Sequence, residues 1–162
     1  MGADLFADGE KVPEFLVWAQ KDKHSASLQR IQIIKGSITN SGARPSEKVF
    51  DVVCSDGLKV DPTTHRCPDN GARVNIEDCS ITSNVGATEL KATWRDPEFN
   101  PKDKAFYYVR VLENPTCRWS TWDALKAGIK PRSDLHETIQ ERAWSSPIWY
   151  IPVPEDIDIF AL

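Results

Sequence analysis

The sequence predicts a mainly β protein: an antiparallel β-sandwich of the immunoglobulin or fibronectin kind, with one short helix and long loops. Three observations predict it. Six or seven short segments either alternate apolar with polar side chains or concentrate β-branched and aromatic residues. Gly, Pro, Asn and Asp punctuate the intervals between them. Four cysteines, Cys54, Cys67, Cys79 and Cys117, have the even count and loop-rich setting of a disulfide framework.

The elements follow in order. Phe15 to Ala19 is a short apolar run after Pro13, closed by the charged turn Lys21-Asp22-Lys23. From Leu28 to Lys35, Ile31 and Ile33 share one face and Arg30 and Gln32 the other, and Gly36 ends the run. Glu47 to Cys54 is a second strand, joined to the first by a hairpin turn over Asn40-Ser41-Gly42-Ala43-Arg44-Pro45. Ser55 to Asn70 is a loop, and Val74 and Ile76 form at most a brief strand. Leu90, Ala92 and Trp94 alternate with Glu89, Lys91 and Thr93 in another half-buried strand. Ala105 to Glu113 is the strongest strand, with Arg110 among apolar neighbours suggesting a face that meets solvent or a partner. One helix follows, with Ser120 as its cap, Asp123 three residues on and Gly128 as its left-handed stop. A last strand runs from Ala143 to Ile151, and Pro147 and Pro152 place it at an edge or a bulge. Residues 1–153 read as one domain and 154–162 as an acidic, then apolar, tail.

Composition narrows the function classes. The 162 residues are 40% hydrophobic and 27% charged, with a formal net charge of -4, enough apolar material for a core. No basic stripe of the kind that nucleic acid requires is present, so no nucleic-acid partner is expected. No apolar run approaches the roughly 18 residues of a membrane span. Met1-Gly2-Ala3-Asp4-Leu5 lacks the charged start and apolar stretch of a signal peptide.

Zinc is the alternative use of the cysteines, but none has a second cysteine or a histidine at knuckle spacing, since His65 lies two residues before Cys67. Of the three possible connectivities, Cys54–Cys67 would close a short turn-rich loop and leave Cys79–Cys117 to tie more distant segments. Disulfides persist in oxidising compartments, so a periplasmic or secreted location is expected. An export signal absent from the chain is reconciled with that location if an upstream portion of the protein is missing.

Candidate chemistry is sparse. His24, His65 and His136 are scattered through loops without a carboxylate or second histidine at pairing distance in sequence, and Ser145-Ser146 lacks the glycine frame of a nucleophile elbow. Asp56, Asp61, Asp69 and Asp78 do not match a calcium loop and read as loop solubility. No catalytic residue, metal ligand or cofactor is therefore expected. A weaker alternative builds an enzyme site from scattered carboxylates with Arg110 or Arg142. The six tryptophans, Trp18, Trp94, Trp119, Trp122, Trp144 and Trp149, suit either a core and domain interface or the aromatic platforms of a carbohydrate-binding module. The best contact site in the sequence is Arg118, Trp119 and Trp122, beside Cys117 and the helix cap.

Several of these stretches together resemble one family. They are Leu28 to Gly36, Glu47 to Val52, Ala105 to Glu113, Pro115-Thr116-Cys117-Arg118-Trp119-Ser120-Thr121, and Ile139 to Trp149. The chain is similar, from Met1 to about Tyr150, to the end of the bacterial domain-of-unknown-function family 3604. The resemblance implies a longer, exported protein whose amino-terminal part is similar to PHP-type metal-dependent phosphoesterases, with a histidine-rich metal motif. No His-x-His and no ligand cluster occur here, so that chemistry does not carry over. The expected role is an accessory domain whose partner is the missing amino-terminal portion. A truncated product, a split gene and an expressed fragment remain alternatives, and homo-oligomerisation stays open.

Overall fold

A computed structural model describes residues 2–6, 11–39 and 45–152. The hairpin turn expected at 40–45 lies outside the described residues apart from Pro45, as do Met1 and the tail 154–162. In chain order the elements are β1 (Ala3–Phe6), β2 (Glu14–Gln20), β3 (Leu28–Ile38), β4 (Ser46–Cys54), β5 (Glu89–Arg95), β6 (Lys104–Glu113), β7 (Thr116–Cys117), α1 (Trp119–Ala127), β8 (Thr138–Ile139), β9 (Arg142–Trp144) and β10 (Ile148–Ile151).

The large sheet has the order β1-β10-β6-β3-β4, with β9 also paired to β6. It is mixed, not purely antiparallel as expected, because β1 runs parallel to β10. Parallel neighbours need a long connection, and here the rest of the domain supplies it. The single strand expected from Ala143 to Ile151 is two strands that follow each other along the same edge of β6. Ser145 to Pro147 interrupts them, and Ser145 keeps hold of the sheet by donating from its backbone N to Val109 O at 3.0 Å. Of these two strands, β1 covers β10, while among the described residues β9 pairs with β6 alone. The β7–β8 ladder forms a separate two-stranded sheet beside α1.

A second layer, β2 against β5, pairs in unbroken register from Glu14↔Arg95 to Gln20↔Glu89. Val17 and Leu90 pack with Ile31, Ile33, Ala105 and Tyr107 of the large sheet to form the core. Aromatic rings fill the interval: Phe15 lies 4.8 Å from Tyr107, and Trp94 lies 5.3 Å from Phe50. The alternation that predicted β3 and β5 is the alternation that puts these side chains into one core. The protein is thus mainly β with one short helix.

Polar groups brace both faces of β3. Between the layers, Lys35 Nζ lies 2.5 Å from Asp96 Oδ2, and Tyr107 donates its hydroxyl to the same oxygen at 2.8 Å. On the other face, Arg110 Nε donates to Gln32 Oε1 at 2.7 Å and Gln32 donates to Asp51 Oδ1 at 2.5 Å. Arg110, expected to face solvent or a partner, is held in this relay, and Asp51 also accepts the Cys67 backbone N–H at 2.7 Å.

β3 runs two residues past Gly36, where the sequence predicted its end. Phe106, directly opposite on β6, lies over the glycine, and a Cβ built there would clash with the Phe106 ring carbon Cζ. The ring supplies the cover that a glycine cannot. Gly36→Ala is expected to force Phe106 out of its position and cost about 1–3 kcal/mol, the usual range for overpacking. Urea unfolding would measure it, and Gly36→Ala/Phe106→Ala should recover part of the loss.

The expected helix forms and stops at Gly128, which has φ 65 and ψ 28 and donates to Ala124 O and Leu125 O. Its start differs. Arg118, not Ser120, occupies the cap, with no side-chain hydrogen bond. Tertiary contacts fix the start instead: the Arg118 N–H bonds Glu137 O at 2.9 Å, and Thr121 Oγ1 donates to Glu137 O at 2.8 Å.

The disulfides are Cys54–Cys67 and Cys79–Cys117, one of the three connectivities that the sequence left open. They staple a long loop between β4 and β5 in which Asp56, His65, Cys79 and Asn84 all hold positive φ. The brief strand expected around Val74 and Ile76 is a single bridge, Val74↔Ile81. Asn70 ties the loop inward, donating to Asn114 Oδ1 at 2.9 Å and accepting from Gln29 at 3.2 Å.

Candidate interaction surface

The predicted contact residues sit at the start of α1, directly after β7 and beside the segment that leads into β8. α1 buries Thr121 and Ala124. With a 3.6-residue turn, Trp119 and Trp122 then share the opposite face, and they are 71% and 43% exposed. Lys126, one turn beyond Trp122, places its ammonium 5.7 Å from the indole centroid. Arg118 is held in place by its Nε, which donates to His136 O at 2.9 Å.

Beside Arg118 opens a cleft of about 480 Å³, walled by His136, Ile139, Glu141, Arg142 and Trp144. Arg118 and Arg142 outnumber the one carboxylate of its lining, Glu141, and leave it with a net positive charge. On the other side of β9 lies a more apolar cleft of about 330 Å³, between Leu16 and Trp18 of β2 and Val109, Val111 and Trp144. Trp144 belongs to both. Sequence reasoning left the tryptophans between a core or domain interface and exposed aromatic platforms. The structure leaves five of the six exposed, Trp94 alone being half-buried. The β2 contribution was hidden because Phe15 to Ala19 is apolar at every position, so no alternation told the outward Leu16 and Trp18 from the inward Val17.

The remaining candidates do not converge on a site. His24 donates its backbone N–H to the Asp22 carboxylate in a turn, His65 packs 5.1 Å from Phe50, and His136 lines the basic cleft. Among the described residues, no three His, Cys, Asp or Glu side chains lie close enough to hold a metal ion. The four loop aspartates each secure local backbone. Asp61 accepts from the N–H groups of Thr64 and Thr63, which pull its carboxyl below the usual range. Arg73, then the Gly71 N–H, bring Asp69 down to about 2. The Ser80 N–H lowers Asp78. Burial pushes Asp56 up, but hydrogen bonds from Ser55, Gly86 and Asn70 together outweigh it.

No helix among the described residues is long and apolar enough to cross a membrane. The two disulfides hint at an oxidising, extracytoplasmic location.

Fold and surface together define a disulfide-stapled, mainly β domain with five of its six tryptophans exposed. The chain belongs to the family described as "Protein of unknown function (DUF3604)", whose profile matches residues 1–152. Comparison with curated proteins gives no match, and comparison with solved structures gives none.

Proposed function

We propose that this chain is an accessory, carboxy-terminal β-domain of a larger exported protein and carries no complete active site of its own. It docks on the portion that precedes it through Arg118, Trp119 and Trp122. The observation that carries this reading is the exposure of rigid indoles beside a pinned arginine, the residue types that dominate interface energetics. Following the family resemblance, the preceding portion is a PHP-type metal-dependent hydrolase domain, and the location is the periplasm or the exterior. In this reading the β2–β5 layer over the large sheet is a lopsided relative of the immunoglobulin-like sandwich.

The test is oxidative footprinting of tryptophans in this chain and in the protein extended by its upstream coding sequence. Trp119 and Trp122 are expected to lose most of their labelling in the longer protein. Equal labelling in both would overturn the docking surface. Hydrolysis of phosphate esters by the purified chain with added divalent metal would overturn the accessory role.

Carbohydrate binding is the second reading. It draws on Trp149, 48% exposed with Phe106 5.3 Å away, at an apolar groove of about 720 Å³. A glycan array read by tryptophan fluorescence tests it, and silence across the array counts against it.

A further inference from the structure

We propose that the free edge of β9 is a docking site for an extended strand, and that its occupant is the Asp156-Ile157-Asp158-Ile159 segment of a second copy of this chain. This goes beyond the accessory role and shares with its proposed docking surface only Arg118. Glu113 N–H bonds Glu141 O, and Ser145 N–H bonds Val109 O, each at 3.0 Å, on either side of the Ala143↔Val111 pair. Antiparallel alternation then turns the N–H and C=O groups of Arg142 and Trp144 away from β6. Among the described residues no strand pairs with that edge, whereas the edge of β10 in line with it is already covered by β1. Such an edge is a template for another chain.

The two clefts state what that chain must look like. A strand beside β9 points successive side chains to opposite faces. One set enters the apolar cleft between Trp18 and Val111, and the other meets Arg118 and Arg142. The complement is a strand that alternates apolar with acidic residues, and the segment Asp156-Ile157-Asp158-Ile159 has that pattern.

Reach selects a second copy over the chain's own tail. Ala143 pairs with Val111 and Tyr150 with Ala105, six residues apart along β6. Adding the run on to Pro152 puts β9 about 26 Å behind the start of the tail at strand rise. The seven residues to Ile159 span at most about 25 Å fully extended, before any turn. The β1 strand also stands in that path.

Sedimentation velocity over a concentration series tests the proposal on the full chain. Expected are concentration-dependent dimers, lost on truncation after Pro152, and binding of a labelled peptide of residues 153–162 to the truncated protein. Arg142→Glu in the full chain should weaken self-association by about tenfold or more. A peptide carrying Asp156→Lys and Asp158→Lys should restore binding to that variant. The proposal is overturned if the full chain stays monomeric and the peptide does not bind, or if truncation leaves the dimer intact. Amide-exchange protection of β9 that is independent of concentration would overturn it in favour of the chain's own tail.

Discussion

Asp96→Ala is expected to lower stability by about 3–5 kcal/mol, the cost of leaving one member of a buried ion pair without its partner. The Asp96 side chain is 0% exposed and that of Lys35 is 9% exposed. Asp96 is saturated: one oxygen takes the Lys35 ammonium and the Tyr107 hydroxyl, and the other takes the Glu98 N–H at 2.9 Å. Without it, the ammonium keeps only the Glu98 carbonyl, at 2.7 Å. The midpoint of urea unfolding measures the effect, and a loss below about 1 kcal/mol would refute the assignment. Lys35→Met/Asp96→Leu is expected to fall much closer to the parent, because removing both charges removes the desolvation cost along with the attraction.

The same cluster sets an alkaline limit. Burial, with the hydrogen bond to Asp96 and the Asp96 charge behind it, pushes the Tyr107 hydroxyl well above its ordinary 10.0. The folded protein therefore holds that proton more tightly than the unfolded chain. The stabilisation is fully present below pH 10 and declines as pH rises above it, by about 1.4 kcal/mol per unit for one such group. Tyr107→Phe should flatten that part of the pH–stability curve.

How much of this was legible depended on which face of each segment met which layer. Ile31 and Ile33, or Leu90 and Trp94, alternate cleanly because their strands have unlike environments on their two faces, and those strands were readable. The strand β1 was not. Its four residues are mostly exposed and owe their order to pairing with β10, a partner more than 140 residues away in sequence. Gly128 marked the helix end through its own backbone preference, while the helix start is set by Glu137, which no local pattern around Ser120 reveals. Arg118, Trp119 and Trp122 were visible as residue types. The clefts on either side of β9, one of them lined by Arg118, were not, because Trp18 and Trp144 are brought together only by the stacking of the layers.

The two disulfides are expected to contribute unequally, and differently in kind. In the chain-entropy account, a crosslink stabilises by the logarithm of the loop that it closes. The separation of 38 residues at Cys79–Cys117 gives about 4 kcal/mol. The separation of 13 at Cys54–Cys67 gives about 3 kcal/mol. Cys79→Ser/Cys117→Ser should therefore cost more in global unfolding. Its local effect should be larger still, because the bridge is the covalent tie between the β4–β5 loop and β7, on which α1 starts. Amide exchange is expected to accelerate around Val74↔Ile81, in the β7–β8 ladder and in the first turn of α1, while the core strands β3 and β6 stay protected. The shorter bridge behaves otherwise. Cys67 is also held by Asp51, which accepts its N–H in the relay with Gln32 and Arg110, so Cys54→Ser/Cys67→Ser leaves a noncovalent anchor in place. Asp51→Ala on that background removes the anchor, and the loss should exceed the sum of the separate effects, since each tie limits what breaking the other can release. Simple additivity would show that the relay and the bridge hold the loop independently.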